Sequence, residues 1–145
     1  MRKLVYFLSA LTLALVLSAC GQTGKYKELK AQNGLITIPE SEVSDTQAHY
    51  YSTVVDGKEI KFFLVRAEDG IVRAAFDACD VCYPEKKGYR QEGDVMVCNN
   101  CGQKFDTSKI NEVKGGCNPS PLHRELDGKQ ITIKVDDIRS GGMYF

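Results

Sequence analysis

Four cysteines form two Cys-x-x-Cys pairs in this chain of 145 residues, Cys79 with Cys82 and Cys98 with Cys101, and fifteen residues separate the pairs. Two intervening residues allow a tight turn to direct both thiols of a pair at one metal ion or cluster. Fifteen residues are enough for a strand, a loop and a return of the chain, which would bring the pairs together. The spacing therefore predicts a four-thiolate metal site.

Four chemistries suit such a set of thiols. Thiolates are soft donors that bind iron–sulfur clusters well, and four of them also suit a structural zinc ion or another ion such as copper. In an oxidising compartment, two disulfides are the usual outcome. Dithiol exchange of the thioredoxin kind is disfavoured, because that motif normally opens a helix within a β-α-β unit and neither pair stands in such a context.

The first twenty residues have the three-part build of an export signal. Arg2 and Lys3 give a positive start, residues 4–17 are almost wholly apolar, and the tetrapeptide Leu-Ser-Ala-Cys that ends at Cys20 resembles a bacterial lipobox. The apolar run is too short to favour a spanning helix. We therefore predict a lipoprotein signal peptide over residues 1–19 and lipidation of Cys20. An uncleaved membrane anchor and plain secretion are the alternatives.

Lipidation of Cys20 would hold the protein at the extracytoplasmic face of the cell membrane, because several acyl chains on one residue give firm attachment. Gly21, in place of an aspartate, favours the outer membrane in a two-membrane bacterium. Residues 20–33 are polar and lack apolar periodicity, so we predict a flexible, lipid-anchored tether there. The metal-binding domain is then expected over residues 34–145.

Charge and length set further limits. Without residues 1–19, which hold two of the basic residues, the chain has 17 Lys and Arg against 19 Asp and Glu, a net charge of −2. No basic face for phosphate neutralisation is indicated, which argues against a nucleic-acid partner. The remaining 126 residues suffice for one domain with its own core. Without a recognisable hydrolytic or phosphate-binding motif, we expect an electron carrier or a metal-binding protein rather than a catalyst.

Apolar and β-branched segments recur at short intervals and predict strands. Asp56-Gly57, Glu68-Asp69-Gly70 and Asp127-Gly128 lie between them and are typical of hairpin turns. Residues 41–47 are long enough for one helical turn, and no segment supports a long amphipathic helix. The sequence therefore predicts an all-β domain. Its strands are expected at 34–38, 49–55, 59–66, 71–76, 94–98 and 130–135.

The order of these segments around the cysteines resembles the Rieske domain. In that family a β-sandwich carries two loops that each give two ligands to a two-iron cluster, and Gly-Phe-Asp-like and Gly-Gly-Pro-like segments follow the second loop. Here Phe105-Asp106 and Gly115-Gly116 to Leu122 stand in the matching places. A Rieske loop gives one cysteine and one histidine, whereas each loop here has two cysteines. The resemblance implies a Rieske-like β-sandwich with two Cys-x-x-Cys metal-binding loops.

The same resemblance bears on Cys117, because the Gly-Gly-Pro turn of a Rieske domain covers the cluster. Cys117 is then a fifth ligand, a replacement ligand or a disulfide partner, and an unligated buried cysteine is the alternative. His123 could reach the same mouth, although a lone histidine is more often a surface residue. His49 opens a strand and is expected to be structural.

A closer resemblance covers residues 45–135. The segment Ala48-His49-Tyr50-Tyr51, the two Cys-x-x-Cys turns, Gly88-Tyr89 and the Gly-Gly-Cys-x-Pro segment are together similar to an uncharacterised bacterial family of predicted iron–sulfur membrane proteins. Members of that family are often encoded beside iron permeases.

That family resemblance implies a membrane-anchored, extracytoplasmic iron–sulfur protein that transfers electrons and supports iron uptake. An iron permease or a redox protein would be its partner. Four thiolate ligands would give a low reduction potential, nearer the roughly −400 mV of four-cysteine ferredoxins than the values of Rieske centres. The alternative is a non-redox metal-binding lipoprotein that holds structural zinc or carries iron or copper.

Overall fold

The computed structural model describes residues 24–145. Within that range the chain is mostly strands, with one α-helix of six residues, α1 at Val135–Ser140, so the predicted all-β class is confirmed. The strands are β1 Lys27–Glu28, β2 Leu35–Pro39, β3 Ala48–Val55, β4 Lys58–Arg66, β5 Val72–Phe76, β6 Tyr89–Glu92, β7 Val95–Cys98, β8 Lys104–Asp106, β9 Glu125–Leu126 and β10 Gln130–Lys134. The 3-10 helices are Glu40–Val43, Tyr83–Glu85, Thr107–Lys109 and Gly142–Tyr144.

Three sheets hold these strands. The central sheet has the order β1-β3-β4-β5, and two smaller sheets have the orders β2-β10-β9 and β6-β7-β8. All six predicted strands are present, and their ends differ from the prediction by one residue at most. The predicted helical turn at 41–47 is found as the 3-10 helix Glu40–Val43. The strands that were not predicted, β1, β6, β8 and β9, have two to four residues each.

Residues 62–65 of strand β4 are buried on both faces of the sheet. Successive residues of a strand point to opposite sides of the sheet, so Phe62 and Leu64 enter one hydrophobic core while Phe63 and Val65 enter another. The first core contains the inward side chains of β2 and β10. The other members of the second core are Ala75, Cys79, Cys82, Tyr89, Met96, Cys98 and Ile110. Three of the cysteines are therefore packed into a core and are not confined to surface loops.

The outer edge of β5 is covered by the Asn111 side chain and by the chain at Leu122. The Asn111 Oδ1 accepts a hydrogen bond from the Ala74 N–H at 2.9 Å, and its Nδ2 donates to the Ala74 carbonyl at 2.6 Å. The Leu122 N–H donates to the same carbonyl at 3.1 Å. These bonds fix both ends of the segment that carries Cys117.

Residues 24–33 do not form the flexible tether predicted for 20–33. Strand β1 pairs in parallel with β3, and the Leu29 N–H donates to the Ser52 carbonyl at 2.8 Å. The backbone of this segment is hydrogen-bonded to the edge of the central sheet, so the folded part begins before residue 34. The predicted signal peptide and Cys20 lie outside the described residues. Within the described range, no helix is long and apolar enough to cross a bilayer.

We expect Asn111→Asp to destabilise the domain. The substitution keeps the shape of the side chain but replaces the donor Nδ2 with an oxygen, which would face the Ala74 carbonyl without a hydrogen. The free energy of unfolding should fall by about 1–3 kcal/mol, measured by urea denaturation. Asn33→Asp is the matched control, because Asn33 also has a positive φ but is exposed. Equal losses in the two variants would contradict this role of Asn111.

Candidate metal centre

The first cysteine pair lies in the loop between β5 and β6. A tight turn begins at Cys79, whose carbonyl accepts from the Tyr83 N–H at 3.3 Å. The Cys82 N–H points at the Cys79 sulfur, with an N···Sγ distance of 3.2 Å. The two-residue spacing thus brings the two sulfurs together, and a backbone donor is available to a thiolate at Cys79.

The second pair lies in the turn between β7 and β8. Cys98 ends β7, and the Gly102 N–H donates to its carbonyl at 2.9 Å. Gly102 has a φ of 76°, a left-handed conformation that glycine adopts without steric cost. The chain can therefore turn back into β8 directly after Cys101, which leaves Cys98 buried and Cys101 exposed.

Cys117 belongs to a third segment, which follows the 3-10 helix Thr107–Lys109. Gly115 and Gly116 precede it with φ values of 88° and 60°, so these glycines allow the backbone turn that carries the cysteine. The Tyr89 hydroxyl donates to the Cys117 carbonyl at 2.7 Å. This bond ties the third segment to β6.

The five sulfurs form two groups that share Cys82. The Sγ atoms of Cys79, Cys82 and Cys117 lie within 4.8 Å of one another, and so do those of Cys82, Cys98 and Cys101. The Sγ atoms of Cys82 and Cys117 are 3.7 Å apart. Two loops, each with a cysteine pair, therefore meet as the resemblance to Rieske domains predicts, and a fifth thiol joins them.

The centre has an inner and an outer side. Cys79 and Cys98 are only 1% and 2% exposed, and Cys82 is also buried. Cys101 is exposed and Cys117 is half-buried. The inner thiols are shielded by the second core, whereas the outer ones can meet solvent or a partner.

Burial and hydrogen bonding separate the acidities of the thiols. Burial raises the pKa of Cys98 to about 11 and that of Cys117 to about 12. The backbone N–H of Gln103 lowers the pKa of Cys101. Of these three, Cys101 therefore ionises first in the metal-free protein. Because a metal must displace the protons of its ligands, metal affinity increases with pH.

Neither histidine joins the thiols. His123 Nδ1 lies 3.4 Å from Asp137 on α1, and its side chain is 62% exposed. His49 Nε2 lies 2.7 Å from an oxygen of Asp45, in the chain that leads into β3. Within residues 24–145, the groups of three or more close potential metal ligands consist of cysteines.

A family model for FtrD-like membrane iron–sulfur containing proteins matches residues 43–145. This range is more than half of the chain and includes all five of these cysteines. The chain belongs to the FtrD-like family. A comparison with curated proteins gives no match. Among solved structures, the FtrD-like chain is similar to a quaternary ammonium Rieske monooxygenase, with 17% identity and a TM-score of 0.48, over 72% of this chain and 32% of that chain.

A buried carboxylate, which sequence reasoning missed, connects the cysteine loops of this FtrD-like protein. Asp77 stands two residues before the first cysteine, and its side chain is fully buried. Its Oδ1 accepts from the Tyr89 N–H at 2.6 Å. Its Oδ2 accepts from Lys25 Nζ at 2.6 Å and from the Tyr26 hydroxyl at 2.5 Å. Tyr89 in turn lies opposite Cys98 in the pairing of β6 with β7.

Gly88 fits closely against this carboxylate. Its φ is 61°, and a Cβ at this position would come within 2.5 Å of Asp77 Oδ2. Gly93 has nearly the same φ, 62°, yet no atom lies within 4 Å of the place its Cβ would take. The two glycines share one backbone constraint, and only Gly88 adds a steric one. The contact with Asp77 thus explains why glycine precedes Tyr89 in the Gly88-Tyr89 pair of the family resemblance.

We expect Gly88→Ala to displace Asp77 and loosen both cysteine loops. In Gly93→Ala, the matched control, the left-handed backbone alone should cost about 1–2 kcal/mol of unfolding free energy. Gly88→Ala should lose a further 1.5–3 kcal/mol, roughly the value of one hydrogen bond to a charged group, and should bind less metal. Urea denaturation and metal analysis measure the two effects. Equal losses with unchanged metal content would show that the close contact is unimportant.

Proposed function

We propose that this FtrD-like protein holds an iron–sulfur cluster and transfers electrons at the outer face of a membrane. One observation carries the proposal: five thiols from three segments of the chain meet in two triads that share Cys82. The matched family is described as iron–sulfur containing, and a bound cluster supplies one-electron transfer. Its proposed ligands are Cys79, Cys82, Cys98 and Cys101.

The spread of the sulfurs supports a cluster over a single zinc ion. Zinc–thiolate bonds are about 2.3 Å long, so two thiolates on one ion lie at most about 4.6 Å apart. In residues 24–145, no four cysteine sulfurs all lie within 4.8 Å of one another. Cys79 lies outside the triad of Cys82, Cys98 and Cys101. A two-iron cluster suits this wider set, because its two iron atoms divide four thiolates between them.

The difference between the inner and outer sides supports electron transfer. Cys79 and Cys98 are packed among apolar side chains, which exclude water from that side. Cys101 is exposed and offers the short path from the centre to a partner. Four charged thiolates favour the oxidised state, so a low reduction potential is expected, nearer the roughly −400 mV of four-cysteine ferredoxins.

Cys117 is proposed as a neighbour of the ligands and not as a fifth ligand. A two-iron cluster needs four thiolates, and the two Cys-x-x-Cys pairs supply them. Burial raises the pKa of Cys117 in the metal-free protein to about 12, which favours its thiol form there. At 3.7 Å it can donate a weak S–H hydrogen bond to a Cys82 thiolate, which would stabilise the charge on that ligand.

Attachment through a lipidated Cys20 is also part of the proposal. The export signal and lipobox-like tetrapeptide support it, and the matched family is described as membrane proteins. The cell membrane, at its extracytoplasmic face, is the proposed site, with the outer membrane as the location in a two-membrane bacterium. Because members of the resembled family are often encoded beside iron permeases, we propose that the electrons support iron uptake, with a permease or redox protein as partner.

A non-redox metal-binding lipoprotein is the second candidate. The triad of Cys82, Cys98 and Cys101 supports it, because three sulfurs within 4.8 Å of one another can surround one ion. Zinc would then stabilise the fold, or iron or copper would be carried as cargo. In that case Cys79 and Cys117 would remain outside the ligand set or complete it after a small shift.

We expect protein prepared without oxygen to contain roughly two iron and two sulfide ions per chain. It should absorb visible light and lose that absorption on reduction with dithionite. Metal analysis, sulfide analysis and absorption spectroscopy measure this. A colourless protein with one zinc ion per chain would contradict the electron-transfer proposal and support the second candidate. Two intact disulfides without metal would contradict both.

Two cysteine variants serve as controls for the ligand set. Cys82→Ser removes the thiol shared by both triads and should abolish the visible absorption. Cys117→Ala removes the proposed hydrogen-bond donor, so the iron content should stay the same and the potential should become lower. Loss of iron from Cys117→Ala to the same degree as from Cys82→Ser would make Cys117 a ligand.

We expect Cys20→Ser to release the protein from the membrane, because the acyl chains would have no attachment point. Incorporation of labelled palmitate and the share of protein in the membrane fraction measure this in cells. Cys117→Ser is the matched cysteine control and should keep both label and membrane attachment. An unlabelled wild-type protein, or a Cys20→Ser protein that stays in the membrane fraction, would contradict lipidation.

A further inference from the structure

An N-terminal strap, residues 25–29, is bound to the central sheet beside the cysteines. Its strand β1 pairs with β3, and Leu29 packs against the first core. The ring of Tyr26 meets that of Tyr50 edge-on, with centroids 6.0 Å apart. Tyr50 itself packs against the second core, which contains the buried cysteines. The strap therefore lies next to the metal centre, although no sequence motif connects the two.

Lys25 reaches from this strap to the groups that hold the cysteines. Its Nζ donates to Asp77 Oδ2 at 2.6 Å and to the Tyr89 carbonyl at 2.8 Å. It also lies 4.1 Å from the centroid of the Tyr50 ring, a favourable place for a cation. In the described part of the chain, Asp77 has one ion pair, and its partner is Lys25. Removal of the partner of a buried carboxylate strongly destabilises the folded state, because the remaining charge is not compensated.

Asp77 and Tyr89 connect Lys25 to all three cysteine segments. Asp77 leads into the turn of the first pair, and its Oδ1 accepts from the Tyr89 N–H at 2.6 Å. Tyr89 lies opposite Cys98 in the β6–β7 pairing. Its hydroxyl holds the Cys117 carbonyl at 2.7 Å. A displacement of Lys25 would therefore change the positions of Asp77 and Tyr89, and with them both cysteine loops and the third segment.

The second donor from the strap stays protonated. Burial, together with the charge of Asp77, raises the pKa of Tyr26 well above its usual value. Its hydroxyl therefore donates to Asp77 at all ordinary pH values, while Lys25 alone brings a positive charge. Removal of that charge leaves the hydrogen bond from Tyr26 in place, so the effects of charge and of strap attachment can be separated.

We propose that Lys25 is a positioning residue of the metal centre. It holds Asp77 and Tyr89 together, and through them it holds the three segments that carry the cysteines. Its charge also offsets that of Asp77, so loss of Lys25 lowers the reduction potential, because an uncompensated negative charge nearby favours the oxidised cluster. The effect on potential rests on the proposed function, whereas the positioning role does not.

Lys25→Gln tests this proposal in the full chain loaded with iron. Lys27→Gln is the matched control: Lys27 lies in the same strap, but its Nζ pairs with Glu42 at the surface at 2.7 Å. Lys25→Arg keeps the charge and should behave nearly as the wild type. The double variant Lys25→Gln with Asp77→Asn removes both charges together and should return the potential towards the wild-type value.

Three measurements have defined outcomes. In Lys25→Gln, loss of iron to excess EDTA, followed by visible absorption, should be about tenfold faster, because removal of groups that orient metal ligands lowers metal affinity by roughly 10- to 100-fold. The midpoint potential should be lower, and the Tyr89 amide should exchange hydrogen faster. Equal behaviour of Lys25→Gln and Lys27→Gln in iron loss and amide exchange would overturn the proposal.

Amide exchange separates this proposal from the proposed function. If the protein binds no iron, the iron–sulfur function fails, but exchange at Tyr89 can still be measured in the metal-free chain. Faster exchange in Lys25→Gln than in Lys27→Gln would then still support the positioning role. Unchanged exchange would overturn it independently of the metal.

Discussion

Burial of residues 62–65 of strand β4 on both faces is the constraint on which the rest of the structure depends. Phe62 and Leu64 face the core shared with β2 and β10, whereas Phe63 and Val65 face the core that contains the cysteines. A strand covered on both sides needs an apolar side chain at nearly every position. The two cores are therefore parts of one packing unit, and the metal centre shares the rigidity of the sheet behind it.

The features that the sequence predicted are those encoded locally. The spacing within each cysteine pair defines a turn, and an apolar run such as that from Phe62 to Val65 defines a buried strand without knowledge of its partners. Strand β1 could not be recognised, because its two residues are charged and become a strand only through pairing with β3. Asp77 is similar, since its importance depends on donors far away in the sequence, Lys25 and Tyr89.

The three cysteine segments meet through polar contacts within an apolar setting. Cys79, Cys98 and Met96 are buried beside aromatic rings, so each unpaired polar group there would carry a high cost. Polar groups of neighbouring segments avoid this cost by hydrogen bonding to each other. The Tyr89 N–H donates to Asp77, and the Tyr89 hydroxyl donates to the Cys117 carbonyl. Networks of this kind fix a single arrangement when every member is satisfied. The segments that carry the thiols are therefore joined by hydrogen bonds of the chain itself.

The position of Lys25 also limits the distance between the metal centre and the proposed membrane anchor at Cys20. Under the proposed lipidation, only five peptide units separate the anchored Cys20 from Lys25, and such a segment spans at most about 18 Å. Lys25 contacts the residues beside Cys79 and Cys98 directly. The centre is then confined to a thin layer above the lipid headgroups and cannot move far from the membrane surface. Under the proposed electron transfer, a partner would have to present its own redox group within that layer, which favours partners embedded in the same membrane over large soluble ones.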